Sequence, residues 1–456
     1  MESFRDRLTT VSKEGNRLWV YAKAPKGKFT TYRNLVAYVC LVALFSAPFI
    51  KVGGYPLLLL NIFERKFVIV GSIFWPQDFY ILAFVLLTFF VFIILFTAIF
   101  GRIWCGWACP QTIFMEMVFR KIEYWIEGDA KQQRQLNQAP WTTDKILKKG
   151  SKHFLFALFS LIIGHLVMCY LIGYESVWQN ISQGSAIHSA AFWGVLAFSA
   201  MFMFVFSYLR EQACTIICPY GRLQGVLVSK STVVVAYDTP RGEPRGKKGH
   251  TSGDCVDCSL CVQVCPTGID IRNGTQLECI NCTACIDACD EVMHKLNRPQ
   301  GLIRFDSLQG ILSGAPWRAT PRIYLYGVFL GTLMVLLGTF IYTRKNIQAT
   351  LLRVPGQTYQ STPAGSITNL YNLQIINKSF TYLPIEMRLT GLAHAKLHLV
   401  GNTQLTLAPE SLSESVFIVE VPESEVPKRN NTLYLELYSG GKLIEKEKVS
   451  FLGPIK

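Results

Sequence analysis

Two cysteine runs, "CVDCSLCVQVCP" (255–266) and "CINCTACIDACD" (279–290), share the spacing Cys-x2-Cys-x2-Cys-x3-Cys at an offset of 24 residues. A cubane iron-sulfur cluster needs thiolates on four separate irons, and the tight loop of the first three cysteines supplies one face. In chains holding two such clusters the last cysteine of each run ligates the other cluster. That rule assigns Cys255, Cys258, Cys261 and Cys289 to one 4Fe-4S cluster, and Cys279, Cys282, Cys285 and Cys265 to a second. Zinc also takes four thiolates, but its modules use two Cys-x2-Cys pairs rather than two triplets with a crossed fourth ligand. The second run ends in Asp290 where such motifs have proline, a departure that affects a turn more than a ligand. Two adjacent clusters make an electron path, so the spacing predicts electron transfer or chemistry driven by it and leaves the donor open.

A second pair of motifs repeats Cys-x3-Cys-Pro, in "CGWACPQ" (105–111) and "CTIICPY" (214–220). Proline suits the first turn of a helix and disfavours α geometry in the residue before it, which predicts Cys109 and Cys218 at helix N-termini. A helix dipole there stabilises a thiolate. Cys105 and Cys214 lie one turn earlier and can converge on the same point. Four soft sulfur ligands prefer Cu(I) to harder divalent ions. One such motif alone reads as packed structural cysteine, whereas two in equivalent places favour a site. Trp104 and Trp107 are most simply interfacial anchors.

The elements that must position these cysteines are membrane spans. Of 456 residues, 50% are hydrophobic, and uncharged runs cover 34–50, 79–101, 154–174, about 188–209 and 323–343. Each approaches the ~20 residues a spanning helix requires, the first being the shortest. Because 33 mostly polar residues precede that first run, it is expected to remain as a span rather than be cleaved as a signal peptide. Lys and Arg number eight in 1–33, nine in 102–152 and thirteen in 210–322, against three in 51–78 and none in 175–187. The positive-inside rule then places the N-terminus and the cysteine runs in the cytoplasm and the C-terminal segment outside. The same bias accounts for the formal charge of +14 without nucleic acid as a partner. Twelve of the fourteen cysteines fall on that reducing side, which favours metal ligation over disulfides. Cys40 and Cys169 lie inside spans and read as small apolar residues.

Residues 55–77 have apolar stretches too short to cross and are expected to lie against the outer membrane face, with Trp75 and Tyr80 in an interfacial belt. After the first Cys-x3-Cys-Pro motif, Phe114, Met117, Val118, Ile122, Trp125 and Ile126 recur at helical spacing, as in an amphipathic helix on the inner surface or a packing stripe. Residues 237–254 are Gly, Pro and charge, a linker. From 344 onward, alternating runs such as "SITNLYNLQIIN", "AKLHLV", "TQLTL", "ESVFIVEV" and "TLYLELY" predict an antiparallel β-sandwich, read as an external interaction module. His165, Met168 and Cys169 share part of a helical face inside the third span; hydrogen bonding between helices is the favoured reading, with a copper or quinone contact as an alternative. Haem is disfavoured because His188, a second histidine, lies near the outer boundary.

As a set, "GRIWCGWACPQTIFMEMVFRKIEYWIEGDA" (101–130), "CTIICPYGRLQG" (214–225), the doubled runs, five spans and the β tail resemble the CcoG family, also called FixG or RdxA, the cytochrome c oxidase accessory proteins. The resemblance implies a multi-domain integral membrane protein of the bacterial inner membrane. Its parts would be five transmembrane α-helices, a cytoplasmic bacterial-type two-cluster ferredoxin domain and a C-terminal Ig-like β-sandwich. The expected boundaries are 1–33 (cytoplasmic segment), 34–236 (membrane domain with four spans), 237–322 (ferredoxin-like 4Fe-4S domain), 323–343 (fifth span) and 344–456 (periplasmic Ig-like domain). By resemblance the protein would reduce Cu(II) to Cu(I) for assembly of the cbb3-type cytochrome c oxidase. Cys105, Cys109, Cys214 and Cys218 would handle copper, two 4Fe-4S clusters would supply electrons, and copper chaperones or transporters and oxidase assembly factors or subunits would be partners. Two other readings stay open: a quinol-linked electron-transfer subunit similar to the membrane ferredoxins of nitrate and nitrous-oxide reduction, and a non-redox assembly scaffold.

Overall fold

The computed structural model describes residues 9–454 except 13, 53, 63–65, 70–71, 76–77, 184–189, 247–252, 346, 355–357, 364, 380, 393, 401–404 and 410. Five of its helices are long and apolar enough to cross a membrane: Lys28–Ser46, Phe79–Phe100, Thr143–Ile172, Ala190–Leu209 and Pro321–Tyr342. Their apolar runs carry no proline in the interior and few charges, so backbone hydrogen bonds close within each helix, as hydrocarbon demands. The first starts at Lys28, earlier than its uncharged run, because Asp287 accepts from the amides of Phe29 (3.1 Å) and Thr30 (2.7 Å) and from the Thr30 hydroxyl (2.7 Å). A carboxylate at a helix N-terminus satisfies orphan donors and meets the positive dipole end. The third helix begins at Thr143, with Thr142 as its cap, and runs 30 residues, about 45 Å at 1.5 Å per residue. His188, expected at the start of the fourth span, lies outside the described residues.

The chain divides into two compact units. The first holds residues 1–52, 56–65 and 79–337, including every cysteine motif. The first, third and fourth spans share with residues 114–122 an aromatic core in which Phe119 stacks on Phe206 (4.8 Å) and meets Phe156 edge-on (4.7 Å). The helix over 110–127 is π-helical through its middle, Ile113–Phe119. It is not a simple amphipathic surface helix: Phe114 and Met117 are buried, Trp125 is exposed, and the face bearing Glu116, Arg120, Glu123 and Glu127 is buried as well. Arg210 grips Glu123 in a bidentate pair (2.9 and 2.8 Å), Lys152 and Lys149 each meet Glu127 at 2.9 Å, and Arg120 lies 3.2 Å from Glu116. Such pairs orient elements more than they stabilise them, since desolvation offsets the attraction. In the same unit the strands Val233–Tyr237 and Ile303–Ser307 pair antiparallel and floor the cysteine-rich segment.

The second unit, residues 53–55, 66–78 and 338–456, is an all-antiparallel sandwich. One sheet runs Lys396–Val400, Leu412–Pro422, Ser366–Asn377, Ile347–Arg353, and the other Leu405–Leu407, Leu383–Thr390, Asn430–Ser439, Lys442–Leu452. The alternating runs put Leu433, Leu435, Leu437, Phe417, Val419 and Val421 inward, each with no exposure, the period-2 pattern of a sandwich core. Residues 55–77 are expected against the outer membrane face. In the structure Lys66–Ile69 and Ser72–Phe74 form a hairpin of this unit, and buried Asp78 pairs with Lys378 (2.6 Å) and Arg344 (2.9 Å).

Candidate metal centre

The two cysteine runs adopt one backbone twice. Asp257 and Ser259 have φ of 53° and 56°, and their equivalents Asn281 and Thr283 have 53° and 65°. Left-handed residues set among right-handed ones make concave turns whose amides suit anions. Each run then enters a helix, Leu260–Gln263 or Ala284–Lys295. The fourth cysteines cross over. Cys255, Cys258, Cys261 and Cys289 line a small, mostly apolar cavity with Tyr237, Met293 and Leu302, and Cys265, Cys279, Cys282 and Cys285 line another with Val235, Ile269 and Ile280. Cys261 borders both. Among the described residues no three His, Cys, Asp or Glu side chains converge closely enough to hold a single ion. A zinc tetrathiolate gathers four sulfurs at ~2.3 Å from one centre. A cubane spreads its ligands over four irons, so wider-set thiols around a dry cavity fit that group.

Burial pushes the thiols of Cys261, Cys279 and Cys289 up to about 12, that of Cys282 to about 11, and that of Cys285 well above its ordinary range. Only a bound metal makes thiolates of such groups near neutral pH, and loading therefore releases protons. Polar neighbours reach two sulfurs: the Cys279 thiol donates to Oδ1 of Asn281 at 3.5 Å, and Cys265 lies 3.4 Å from the Thr267 hydroxyl. Asp290, in place of proline, accepts from the amide of Gly301 at 2.9 Å.

At the Cys-x3-Cys-Pro sites, Cys109 (φ −64°, ψ 126°) and Cys218 (φ −66°, ψ 113°) are extended, and proline opens the helix after each. Cys105 sits on the short helix Ile103–Trp107, and Cys214 on the π-helical turn Ala213–Ile217. The Cys105 thiol donates to Oε1 of Gln224, which is fully buried, at 3.4 Å. Cys214 lies within electrostatic reach of Cys109, Cys105 and Cys218, so the two motifs lie side by side. Burial raises the Cys105 thiol and pushes that of Cys214 up to about 12. The four do not close on a single point as a set of three or more ligands.

The first motif abuts the second cysteine run. Cys105 shares an apolar core with Ile280, Cys282, Ala284 and Val264. A Cβ placed on Gly106 would lie 2.3 Å from the Ile280 carbonyl oxygen, so only glycine allows this approach. Trp107 is no membrane anchor: its indole donates to the Asn281 carbonyl at 3.2 Å. Nε of Arg33, from the first span, donates to the Gly106 carbonyl at 2.7 Å. Arg33, Arg102, Gln224 and Asn281 are site neighbours that motif reading passes over. Their one signal is polar character beside cysteine, which many sequences share.

Nδ1 of His165 donates within its own helix to the Leu161 carbonyl at 2.8 Å, rather than bridging two helices. It is exposed while Cys169 is buried, and with Met168 it lines a separate cavity beside Val177 and Phe192.

Residues 209–308 match a 4Fe-4S dicluster domain family, residues 82–128 a 4Fe-4S binding domain family, and residues 337–454 the Ig-like fold at the C-terminus of FixG. The chain is similar to protein RdxB of Cereibacter sphaeroides, 32% identical over 96% of this chain and 97% of the relative. Similarity to RdxA of the same organism is 33% over 85% of each chain. The nitrogen fixation protein FixG of Rhizobium meliloti is 30% identical over 84% of this chain and 81% of the relative.

Proposed function

The chain belongs to the family of FixG, RdxA and RdxB, iron-sulfur proteins of the membrane, and from that premise we propose that it reduces Cu(II) to Cu(I) for assembly of a cbb3-type cytochrome c oxidase. The observation that carries this reading is the packing of Cys105 in one core with Cys282, which sets a membrane-edge thiol against the wall of a cysteine-lined cavity. When bound, 4Fe-4S groups held by the eight cysteines of the doubled runs would supply single electrons. The protein's own residues do the rest. Cys105, Cys109, Cys214 and Cys218 offer soft sulfur to a copper ion and favour its reduced state. Because they do not form a closed cage, the ion is met in passing as substrate and can leave. Gln224 orients the Cys105 thiol and accepts its hydrogen bond until an ion displaces the proton.

The Lys and Arg excess in 1–33, 102–152 and 210–322 supports a cytoplasmic site and an external sandwich in a bacterial inner membrane. On that side copper-delivering proteins would meet the thiols, while the sandwich would face oxidase assembly factors. The test is Cu(II) reduction by purified, cluster-loaded protein, read with a Cu(I)-specific chelator. Cys105→Ala and Cys218→Ala are expected to lose at least ~10-fold in rate, about 1.4 kcal/mol, with cluster absorbance intact. Unchanged rates would remove copper from the account.

A further inference from the structure

Arg102 stands where three pieces of the site touch. It lies three residues before Cys105, and it is 7% exposed. Its Nη1 donates to the carbonyl of Leu277, two residues before Cys279. A Cβ on Gly221 would lie 2.8 Å from its Nη2 and 2.6 Å from the Cys214 carbonyl oxygen, so the guanidinium rests on the backbone of the second motif. With Cys279 and Gly221 it lines a cleft enclosing about 1880 Å³ of empty space, its open mouth included. Its charge reaches Cys105, Cys214 and Cys279.

What the cation lacks is a counter-charge. Among the described residues no carboxylate forms an ion pair with Arg102, and its buried Nε has no hydrogen-bond partner. Glu278 lines the same cleft without pairing with it. A buried, uncompensated charge is costly, and natural chains keep one only when something opposite in sign sits beside it. Besides Glu278, the groups around Arg102 that can become negative are the sulfurs of Cys105, Cys214 and Cys279.

We propose that Arg102 is a positioning residue: it clasps both Cys-x3-Cys-Pro motifs to the second cysteine run and provides the positive charge that balances electrons arriving at that run. The charge role rests on the electron path proposed above, whereas the clasp does not. A fixed cation stabilises the more negative, reduced state of a nearby iron-sulfur centre. Lysine can supply the charge but not the planar fork that reaches Leu277 and Gly221 together.

The test is a redox titration of the full-length, cluster-loaded protein, followed by electron paramagnetic resonance, for wild type, Arg102→Gln and Arg102→Lys. Arg102→Gln is expected to lower the reduction equilibrium of one cluster about tenfold, ~59 mV for one electron, with the other unmoved. Arg102→Lys should stay within about threefold of wild type while slowing copper reduction through lost alignment. Unmoved potentials in Arg102→Gln overturn the proposal, as does an equal shift in Arg102→Lys. If Arg102→Gln does not load clusters, the lysine variant decides by the same criterion, and failure of both to load with helical content unchanged also overturns it. Wild-type protein that reduces no copper sinks the function proposed above and leaves the potential shift standing. Copper reduction with unmoved potentials does the reverse.

Discussion

A thiol is a poor ligand until it loses its proton, and burial holds the Cys105 and Cys214 thiols against that loss. The Cys214 thiol is pushed up to about 12 because burial penalises the thiolate and neighbouring sulfurs add like charge, with Arg102 opposing. The folded chain therefore keeps a proton on Cys214 where an unfolded chain, near pKa ~8.5, has lost it. Its contribution to stability is present below that unfolded value and is lost as pH climbs toward the folded one. In cluster-free protein, iodoacetamide labelling of Cys214, followed by mass spectrometry of its peptide, should still be rising past pH 10. A plateau near pH 9 would contradict the burial argument. Cluster assembly should be slow to reverse for the same reason, since each cysteine that lets go of metal must find a proton inside an apolar wall.

At the level of elements, the contact that matters is between the short helix Ile103–Trp107 and the loop over 280–282. Gly106 fits there with no room for a methyl group against backbone. Gly106→Ala should destabilise the protein by about 1–3 kcal/mol, the usual consequence of overpacking. It should also slow copper reduction with both clusters present, because it pushes Cys105 away from Cys282. Thermal unfolding and the chelator assay check the two parts; an unchanged melting temperature would contradict the close approach.

The same elements mark how far the sequence carries. Extended Cys109 and Cys218 followed by helices were legible because proline acts on its immediate neighbour. The strand Ser366–Asn377 coincides with an alternating run for the same local reason. The buried charges on the helix over 110–127 were not legible. They answer to Lys149 and Lys152 from the third span and to Arg210 from the turn after the fourth, and a Glu at a solvent position looks the same in sequence. Asp287 as the cap of the first span, and Trp107 as the clip on Asn281, are likewise contacts made across more than 170 positions of chain. The strand pairing of 67–69 with 72–74 was not legible, because short apolar runs suit a membrane face and a sandwich edge equally.

At the scale of the whole molecule, four spans bring two separate turns of chain to one membrane edge and press them against a cysteine-rich segment that carries its own internal repeat. Cys261 borders both cysteine cavities, and Cys105 packs beside Cys282, so one sequence of side chains joins the far cavity to the membrane-edge thiols. The sandwich after the fifth span has a dry core of its own and no cysteine.

The most direct measurement is a single turnover. Full-length protein with both clusters reduced is mixed with Cu(II) in a stopped-flow instrument, and the cluster band and the Cu(I)-chelator band are recorded together. One electron from each of two clusters predicts about two Cu(I) per chain, formed at the rate at which the cluster band recovers, with Cys105→Ala leaving both clusters reduced. Clusters that stay reduced in the wild-type chain while copper is present would contradict the account.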